Sequence, residues 1–249
     1  MTADTQRKQQ FEHQVAGHDT IQVLDSGKLC KPSTSIESAF YGAGQTTPIG
    51  PWLAKYYGTG AYTGDARFTC SIILENLVSP YTHPCIADIK IGTRLYSDDA
   101  PDAKKARMEE QARSTTSGST GMRVCGIKVY DAEVVKTYDK AFGRSLTPDT
   151  LIDGLRVFLP PSVDLGILRA FVSELNGLRR DLARTTARVY SASVLLLYEG
   201  ARCEAAEAPK VRLIDFAHSH FAGEGVDEGA LFGIDNLIRL FEKLLHERM

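Results

Sequence analysis

An acidic and a basic side chain stand two positions apart within the mostly apolar stretch 84–92. If this stretch is a β-strand, Asp88 and Lys90 share one face and their apolar neighbours share the other. Phosphoryl transfer needs such a pair, because the reacting groups must be oriented and a cation must offset charge on the moving phosphoryl group. An exposed strand face with a cross-strand salt bridge is the alternative that the same pattern allows.

A second carboxylate, Asp215, lies near the end of the apolar stretch 211–216. Burying a carboxylate alone is costly, and Mg²⁺ would compensate it because this ion prefers one or two carboxylates together with phosphate oxygens and water. The alternative is an aspartate that caps a turn at a strand end. His218 and His220 follow, but a zinc site is not predicted, since the neighbouring sequence offers no convincing third ligand.

Lys31 and Glu37 form another pair of opposite charge near the beginning of the chain. Lys31 follows a predicted hairpin, and Glu37 lies in the next predicted helix. A lysine that is held by a helix glutamate can reach the phosphates of ATP, as it does in protein kinases. Surface lysines are abundant, so the pair alone does not define a site.

A charged segment is predicted to be helical from about residue 102. Lys104, Arg107 and Gln111 then share one face, because they stand at i, i+3 and i+7. With Lys105 beside it, this face suits charge-assisted hydrogen bonds to a phosphorylated ligand. Nearby acidic side chains nearly balance the charge, so a solvated helix with intrahelical ion pairs is the alternative.

The elements that position these residues change in type along the chain. Strand patterns dominate before residue 131 and helical patterns after residue 147, which predicts an α+β fold with a small β-rich lobe against a larger mixed lobe. A cleft between lobes is a common place for a small ligand. The predicted strands are a hairpin at 19–32 and single strands at 53–58, 68–75, 86–91, 121–131, 193–198 and 211–216. The predicted helices are 33–42, one from about 102, 163–183 and 228–247, with a loop at 114–119 and Thr147 as the N-cap of a further helix.

The composition excludes several classes of protein. The 249 residues carry a net charge of -2 and are 43% hydrophobic, which is typical of a soluble globular protein and predicts no nucleic-acid partner. The five cysteines include no C-x-x-C pair, so a disulfide framework is not expected. Because the sequence has neither an apolar run of membrane-spanning length nor a signal region, we expect a cytoplasmic and/or nuclear protein. We also expect a monomer.

Several segments together resemble the inositol polyphosphate kinase family. The strongest is Pro84-x-x-x-Asp88-x-Lys90-x-Gly92, which fits the family's P-x-x-x-D-x-K-x-G signature at every fixed position. The next are Ile-Asp-Phe-Ala-His at 214–218 and the strand at 193–200, which ends in Tyr-Glu-Gly. Weaker matches lie at 13–18 and 142–146, and all five stand in the family's order. Ala192 is a departure, because the family has a serine there.

The resemblance implies a two-lobed fold distantly similar to that of protein kinases, with ATP and Mg²⁺ in the cleft between the lobes. It implies that Lys31 binds the ATP phosphates and that Asp88 contacts the ATP ribose and is required for activity. Asp215 would hold the metal ion and contact ATP. The connection between lobes that meets adenine would be Glu75, Asn76 and Leu77.

The resemblance also implies that soluble inositol polyphosphates are the partners of this site. Lys90 would bridge the substrate and the transferred phosphate, and His218 would contact the substrate beside Asp215. The further contacts that it implies are Lys104, Lys105, Arg107 and Gln111 of the charged helix, together with Lys128 and Arg123. Gln111 stands where a basic side chain would be unsurprising.

The implied organisation has a polar leader at 1–12, a β-rich ATP-binding lobe at 13–77 and a C-terminal lobe at 78–249. An inositol-phosphate-binding segment at 97–113 belongs to the second lobe. Because the chain between Gly92 and the predicted strand at 121 is short, it resembles the multikinase branch, which accepts several substrates such as inositol tris- and tetrakisphosphate. A dedicated trisphosphate 3-kinase, a hexakisphosphate kinase, a phosphoinositide lipid kinase and a kinase-fold scaffold without turnover are the alternatives.

Overall fold

The computed structural model describes residues 9–16, 20–131, 134–200 and 207–249. Two antiparallel sheets of five strands each and seven α-helices form this part of the chain, so the predicted α+β class is confirmed. Most of the predicted leader, Gly17 and His18 of the motif at 13–18, and Cys203 lie outside the described residues. No helix among the described residues is long and apolar enough to cross a membrane.

The first sheet is built from the beginning of the chain. Its strands are β1 (Gln9–Gln10), β2 (Gln22–Val23), β3 (Leu29–Ser33), β4 (Tyr56–Gly60) and β5 (Cys70–Leu74), in the order β1-β2-β3-β5-β4. The predicted hairpin joins β2 to β3, where the Leu24 amide donates to the Lys28 carbonyl over 2.8 Å and Gly27 takes a φ of 75°. Helix α1 (Ser35–Gly44) follows β3 and begins at Thr34, whose hydroxyl accepts from the Glu37 amide.

The second sheet carries the signature strand at its centre. Its strands are β6 (Pro84–Ile91), β7 (Met122–Asp131), β8 (Val134–Tyr138), β10 (Ser193–Glu199) and β11 (Lys210–Ile214), in the order β11-β10-β6-β7-β8. Ser193 lies opposite Lys90 on one side and opposite Ile214 on the other. Three neighbouring strands therefore bring Lys90, Ser193 and the residue before Asp215 to the same edge of the sheet.

Helices and a short ribbon complete the C-terminal lobe. They are α2 (Asp102–Arg113), α3 (Thr116–Thr120), α4 (Lys140–Ser145), α5 (Leu151–Phe158), α6 (Leu165–Leu182), α7 (Glu228–Glu247) and the paired strands β9 (Ala187–Arg188) and β12 (His220–Phe221). Buried aromatic side chains join α6 to α7 and to β10, since the ring of Phe171 lies 5.5 Å from Phe241 and 6.3 Å from Tyr198. This packing holds the second sheet in place behind the site.

Two local predictions were wrong. The segment 114–119 is helical over α3, because side-chain hydroxyls bond within the helix and Gly121, with a φ of 65°, ends it. Thr147 is not an N-cap: α5 begins at Leu151, and Thr147 instead forms a turn in which its hydroxyl lies 3.1 Å from that of Thr150. Strand β8 was not predicted, because most of its side chains are exposed and it lacks apolar alternation.

Candidate active site

An inner cleft of about 140 Å³ lies between the two sheets. Its apolar walls include Leu29, Leu74, Leu77, Val78, Ile86, Leu195 and Ile214. Four charged side chains, Lys31, Glu75, Asp88 and Asp215, also line it. The cleft therefore combines an apolar slot with a small number of charged groups, an arrangement typical of a small-molecule site.

Lys31 is held in the inner cleft by two carboxylates. Its ammonium donates to Glu37 over 2.8 Å and to Asp215 over 2.6 Å. Burial alone would lower the pKa of Lys31, but the charges of Asp215 and Glu37 outweigh it and hold this pKa well above the usual value. Glu37 is itself buried and accepts from the Ser33 hydroxyl and the Phe216 amide. These bonds fix the Glu37 carboxylate, which in turn holds the Lys31 ammonium.

Asp215 follows β11 in a left-handed backbone conformation, with a φ of 65°. Few residues with a side chain adopt this conformation, although aspartate tolerates it better than most. The positive charge of Lys31 lowers the pKa of Asp215, so its carboxylate stays ionised at neutral pH.

Asp88 is a buried carboxyl group, only 5% exposed, on the central strand β6. Its Oδ1 atom has no hydrogen-bond partner among the described residues. Burial, and then the charge of Asp215, raise the pKa of Asp88 to about 6. Asp88 therefore offers an acceptor atom that the rest of the described structure leaves open.

A polar cavity of about 220 Å³ adjoins the inner cleft. Ala16, Asp88 and Asp215 line both spaces, so the two meet at the pair of carboxylates. Four basic side chains from three elements also line the polar cavity: Lys90, Arg123, Lys140 and Arg144. This concentration of positive charge in a chain with a net charge of -2 is suited to a ligand with several phosphates.

A β-bulge shapes the boundary between the two spaces. Asp88 lies opposite Gly126, but Ile89 lies opposite Val124, so Cys125 is an extra residue in β7. Gly126 lies directly beneath the N-terminal segment 11–16, and a Cβ atom there would stand only 2.0 Å from the Val15 carbonyl oxygen. A glycine at the bulge is what allows this segment to cross the sheet and line the inner cleft.

The structure brings together eight of the residues that the sequence singled out. Lys31, Glu75, Leu77, Asp88 and Asp215 line the inner cleft, and Lys90 and Gln111 line the polar cavity with both carboxylates. Arg123, which the resemblance also implied, is buried in the wall of the polar cavity. Their roles in binding or catalysis stay predictions.

Other predicted site residues lie away from these walls. Asn76 forms a turn in which its side chain accepts from the Val78 amide. Lys128 does not line the polar cavity, and its ammonium lies 3.3 Å from Nδ1 of His13 in the N-terminal segment. The basic residues Lys104, Lys105 and Arg107 lie on α2 outside the cavity walls.

His218 is partly buried beyond β11 and lines neither space. Burial, and then the charges of Lys104 and Lys90, lower its pKa. The imidazole is therefore neutral at pH 7 and able either to donate or to accept a hydrogen bond.

Lys140 and Arg144 of α4 are site residues that the sequence reasoning missed. They stand at i and i+4, so they lie on one face of the helix. Asp139 fixes the start of this helix by accepting from the amides of Ala141 and Phe142. The motif at 142–146 contains Arg144 and was a signal for α4. The position of α4 beside β7 depends on tertiary packing, which a local motif does not show.

The residues present fit a divalent cation whose remaining ligands would be phosphate and water oxygens. No cluster of three histidine, cysteine, aspartate or glutamate side chains that could hold a metal ion occurs among the described residues. Two carboxylates, Asp88 and Asp215, line the junction of the two spaces, and Oδ1 of Asp88 is unpartnered within that part of the chain. Mg²⁺ prefers this number of carboxylates, with phosphate and water oxygens as the remaining ligands.

Comparisons with known proteins agree with this geometry. The inositol polyphosphate multikinase of Schizosaccharomyces pombe is 32% identical over 94% of this chain and 97% of its own length. Human inositol hexakisphosphate kinase 3 is 34% identical over 70% of this chain, which spans about half of that protein (51%). The crystal structure of the inositol phosphate multikinase of Saccharomyces cerevisiae with ADP and Mn²⁺ superposes with a TM-score of 0.76 at 28% identity, and covers 88% of this chain and 99% of the other.

The model of the family described as inositol polyphosphate kinase matches residues 71–242, a span that runs from β5 into α7 and includes Asp88, Lys90 and Asp215. This match confirms the resemblance that the sequence motifs indicated. The chain belongs to the inositol polyphosphate kinase family.

Proposed function

We propose that this protein transfers the γ-phosphoryl group of ATP to ring hydroxyls of soluble inositol polyphosphates, in the manner of a multikinase. The observation that carries the proposal is the junction at Asp88 and Asp215, where an apolar cleft meets a strongly basic cavity. The sequence relatives named multikinase and the yeast structure with ADP and Mn²⁺ support it.

The inner cleft is suited to the nucleotide. Its apolar walls fit a purine base, with Glu75 and Leu77 at the connection between the two sheets. Lys31, fixed by Glu37, would donate to the phosphates. A divalent cation, which we propose to be Mg²⁺ held by Asp215, would neutralise charge on the β- and γ-phosphates.

The polar cavity is suited to the acceptor. Lys90, Arg123, Lys140 and Arg144 would bind the phosphates already present on the inositol ring. This arrangement would fix which hydroxyl faces the γ-phosphate. Several cations spread over three elements, instead of one pocket for one phosphate, favour a range of substrates with different phosphate patterns.

The residues at the junction would act by position and charge. The bond that forms joins the acceptor oxygen to the γ-phosphorus, and the bond that breaks joins this phosphorus to the β–γ bridging oxygen, which leaves with ADP. The proton of the acceptor hydroxyl is released to solvent water. Lys90 would offset the negative charge on the transferred group. With a pKa of about 6, Asp88 is mostly ionised at pH 7.5 and can accept a hydrogen bond from a hydroxyl group.

The test is turnover on a panel of substrates. The purified protein is incubated with ATP, Mg²⁺ and inositol tris-, tetrakis-, pentakis- or hexakisphosphate, and the products are separated by anion-exchange chromatography. Successive conversion of a trisphosphate to a tetrakis- and a pentakisphosphate is the expected result. Turnover of one substrate only would indicate a dedicated kinase.

Asp215→Asn tests the proposed metal site. We expect it to abolish turnover while the thermal unfolding midpoint shows a folded protein, because the amide is a poor metal ligand and a weak partner for Lys31. Full activity of this variant would overturn the proposed metal site. No turnover of any inositol phosphate by the unmodified protein, with ATP binding intact, would instead favour a lipid substrate or a scaffold role.

A further inference from the structure

Ser191 has an unusual backbone. Among the described residues, Ser191 and Asp215 are the non-glycine residues with a positive φ, at 61° and 65°. Ser191 stands two residues before the start of β10, and Asp215 directly follows β11. Because Ser193 lies opposite Ile214, both unusual residues flank the same end of neighbouring strands.

Each of these residues accepts from a lysine that faces the site. Asp215 accepts from Lys31 over 2.6 Å. Ser191 accepts twice from the ammonium of Lys90, through its carbonyl oxygen over 2.5 Å and its hydroxyl over 3.2 Å. A lysine has three N–H donors, so one donor of Lys90 has no partner among the described residues and can serve a ligand in the polar cavity that Lys90 lines.

The two acceptors on Ser191 are neutral, unlike the carboxylates that hold Lys31. They orient the ammonium of Lys90 through neutral oxygens, in a polar cavity that Asp88 and Asp215 also line. A lysine that is fixed in place is suited to donate to an anionic group of a ligand in this cavity.

The left-handed conformation of Ser191 occurs together with its two bonds to Lys90. The chain on each side of Ser191 is tied down: the Ala192 amide donates to the Val189 carbonyl, and the Ile91 amide donates to the Ala192 carbonyl, each over 3.0 Å. Arg94 stacks on the ring of Tyr190, with its guanidinium carbon 4.3 Å from the ring centre. These contacts hold an unfavourable conformation in place, as is common where a backbone serves a site.

We propose that Ser191 is a positioning residue for phosphoryl transfer, and that its left-handed backbone sets the place of the Lys90 ammonium in the polar cavity. The inference rests on the proposed function, in which Lys90 touches the transferred group. It adds a residue that lies outside the signature containing Lys90 and acts only through that lysine.

The test compares substitutions by the backbone that they allow. All the variants keep the backbone carbonyl. Ser191→Gly and Ser191→Asn tolerate a positive φ, whereas Ser191→Val does not tolerate a positive φ, because a β-branched side chain clashes there. We expect Ser191→Val to lower kcat at least tenfold with the KM for ATP unchanged. Ser191→Gly and Ser191→Asn should stay within about threefold of the unmodified protein, since a single weak hydrogen bond is lost.

A second measurement reports on Lys90 without turnover. Acetic anhydride labelling of the full-length protein, read by mass spectrometry, gives the reactivity of each lysine amine. We expect faster labelling of Lys90 in Ser191→Val than in Ser191→Asn, with Lys136 on the exposed strand β8 as an internal reference. Equal Lys90 labelling in both variants, or equal kcat, would overturn the proposal.

If Ser191→Val does not fold, the milder Ser191→Ala replaces it in both measurements. Its kcat should then lie below that of Ser191→Asn and above zero. Failure of the proposed function has a different signature. In that case the unmodified protein phosphorylates none of the inositol phosphates, while the labelling comparison still tests the contact between Ser191 and Lys90.

Discussion

Asp88 carries a carboxyl group whose ionisation opposes folding. Its pKa is raised from 3.8 to about 6 by burial and by Asp215, so the native state binds a proton more tightly than the unfolded state does. The cost of keeping Asp88 ionised grows as the pH rises from about 4 to about 6 and is constant above that range, at roughly 3 kcal/mol or less.

We expect Asp88→Asn to be inactive but more stable than the unmodified protein at pH 8, because the amide carries no charge to bury. The difference should shrink at pH 5 and disappear near pH 4. Thermal unfolding in the absence of nucleotide and metal measures it. An Asp88→Asn protein that is equally or less stable at pH 8 would contradict the inferred cost of this carboxylate.

Glu37 is buried and accepts from Lys31, which also donates to Asp215. We expect Glu37→Gln to raise the KM for ATP about tenfold, since a charge-assisted hydrogen bond to Lys31 is lost, and to leave the KM for the inositol phosphate unchanged. Steady-state kinetics with each substrate varied in turn tests this. Glu242→Gln, on the exposed face of α7, is the matched control and should change neither constant.

The sequence predicts single site residues better than it predicts their partners. Asp88, Lys90 and Asp215 stand within recognisable local motifs. The bond between Lys31 and Asp215 joins residues 184 positions apart, and the bond between Lys90 and Ser191 joins residues 101 apart. No local pattern carries such information, because the first bond depends on how the two sheets pack and the second on the pairing of β6 with β10.

At the scale of the elements, two helices compete for the role of binding the acceptor. The sequence favoured α2, but α4 places Lys140 and Arg144 in the walls of the polar cavity. We expect Lys140→Ala with Arg144→Ala to raise the KM for the inositol phosphate more than Lys104→Ala with Arg107→Ala does. A difference of at least tenfold is expected, because direct charge-assisted contacts are lost.

The measurement is substrate kinetics of both double variants at fixed, saturating ATP. The KM for ATP serves as the control and should stay the same in both. If the α2 variant loses more substrate affinity than the α4 variant, α2 is the main phosphate-binding element and the sequence interpretation was the better one.

The crossing of the N-terminal segment over β7 depends on one glycine. We expect Gly126→Ala to displace the Val15 carbonyl and to weaken ATP binding several-fold, since the segment 11–16 lines the inner cleft. Isothermal titration with ATP and Mg²⁺ measures the effect. Gly223→Ala is the control, because a Cβ atom at Gly223 would meet nothing within 4 Å.

Elements with a buried face were predictable, and those without one were not. The strand β6 and the helices α6 and α7 have regular apolar patterns, and the structure contains all three close to the predicted bounds. Strand β8 is mostly exposed, and α3 consists of threonine, serine and glycine. Apolar periodicity does not fix either element: β8 pairs with β7, and a hydroxyl bond within α3 and Gly121 at its end shape that helix.

At the scale of the whole molecule, the local charge of the polar cavity contrasts with the net charge of -2. Attraction for a polyanion is therefore local, and salt weakens it by screening. We expect the KM for the inositol phosphate to rise as KCl is increased from about 0.05 to about 0.3 M, and to rise less steeply in the Lys140→Ala, Arg144→Ala variant. Identical salt dependence in both proteins would contradict a role of these two charges in binding.

The antiparallel second sheet also determines when the molecule can be completed during synthesis. Its central strands β6, β7 and β10 leave the ribosome before β11, which pairs with β10 from Ser193 to Leu197. Until β11 arrives, the edge of β10 presents unpaired backbone N–H and C=O groups beside Val194, Leu196 and Leu197, all fully buried in the finished protein. An open apolar edge is a template for pairing with other chains. A chain cut short before residue 210 thus loses Asp215 and also keeps an edge that favours aggregation, so early termination is expected to yield insoluble protein instead of a soluble inactive one.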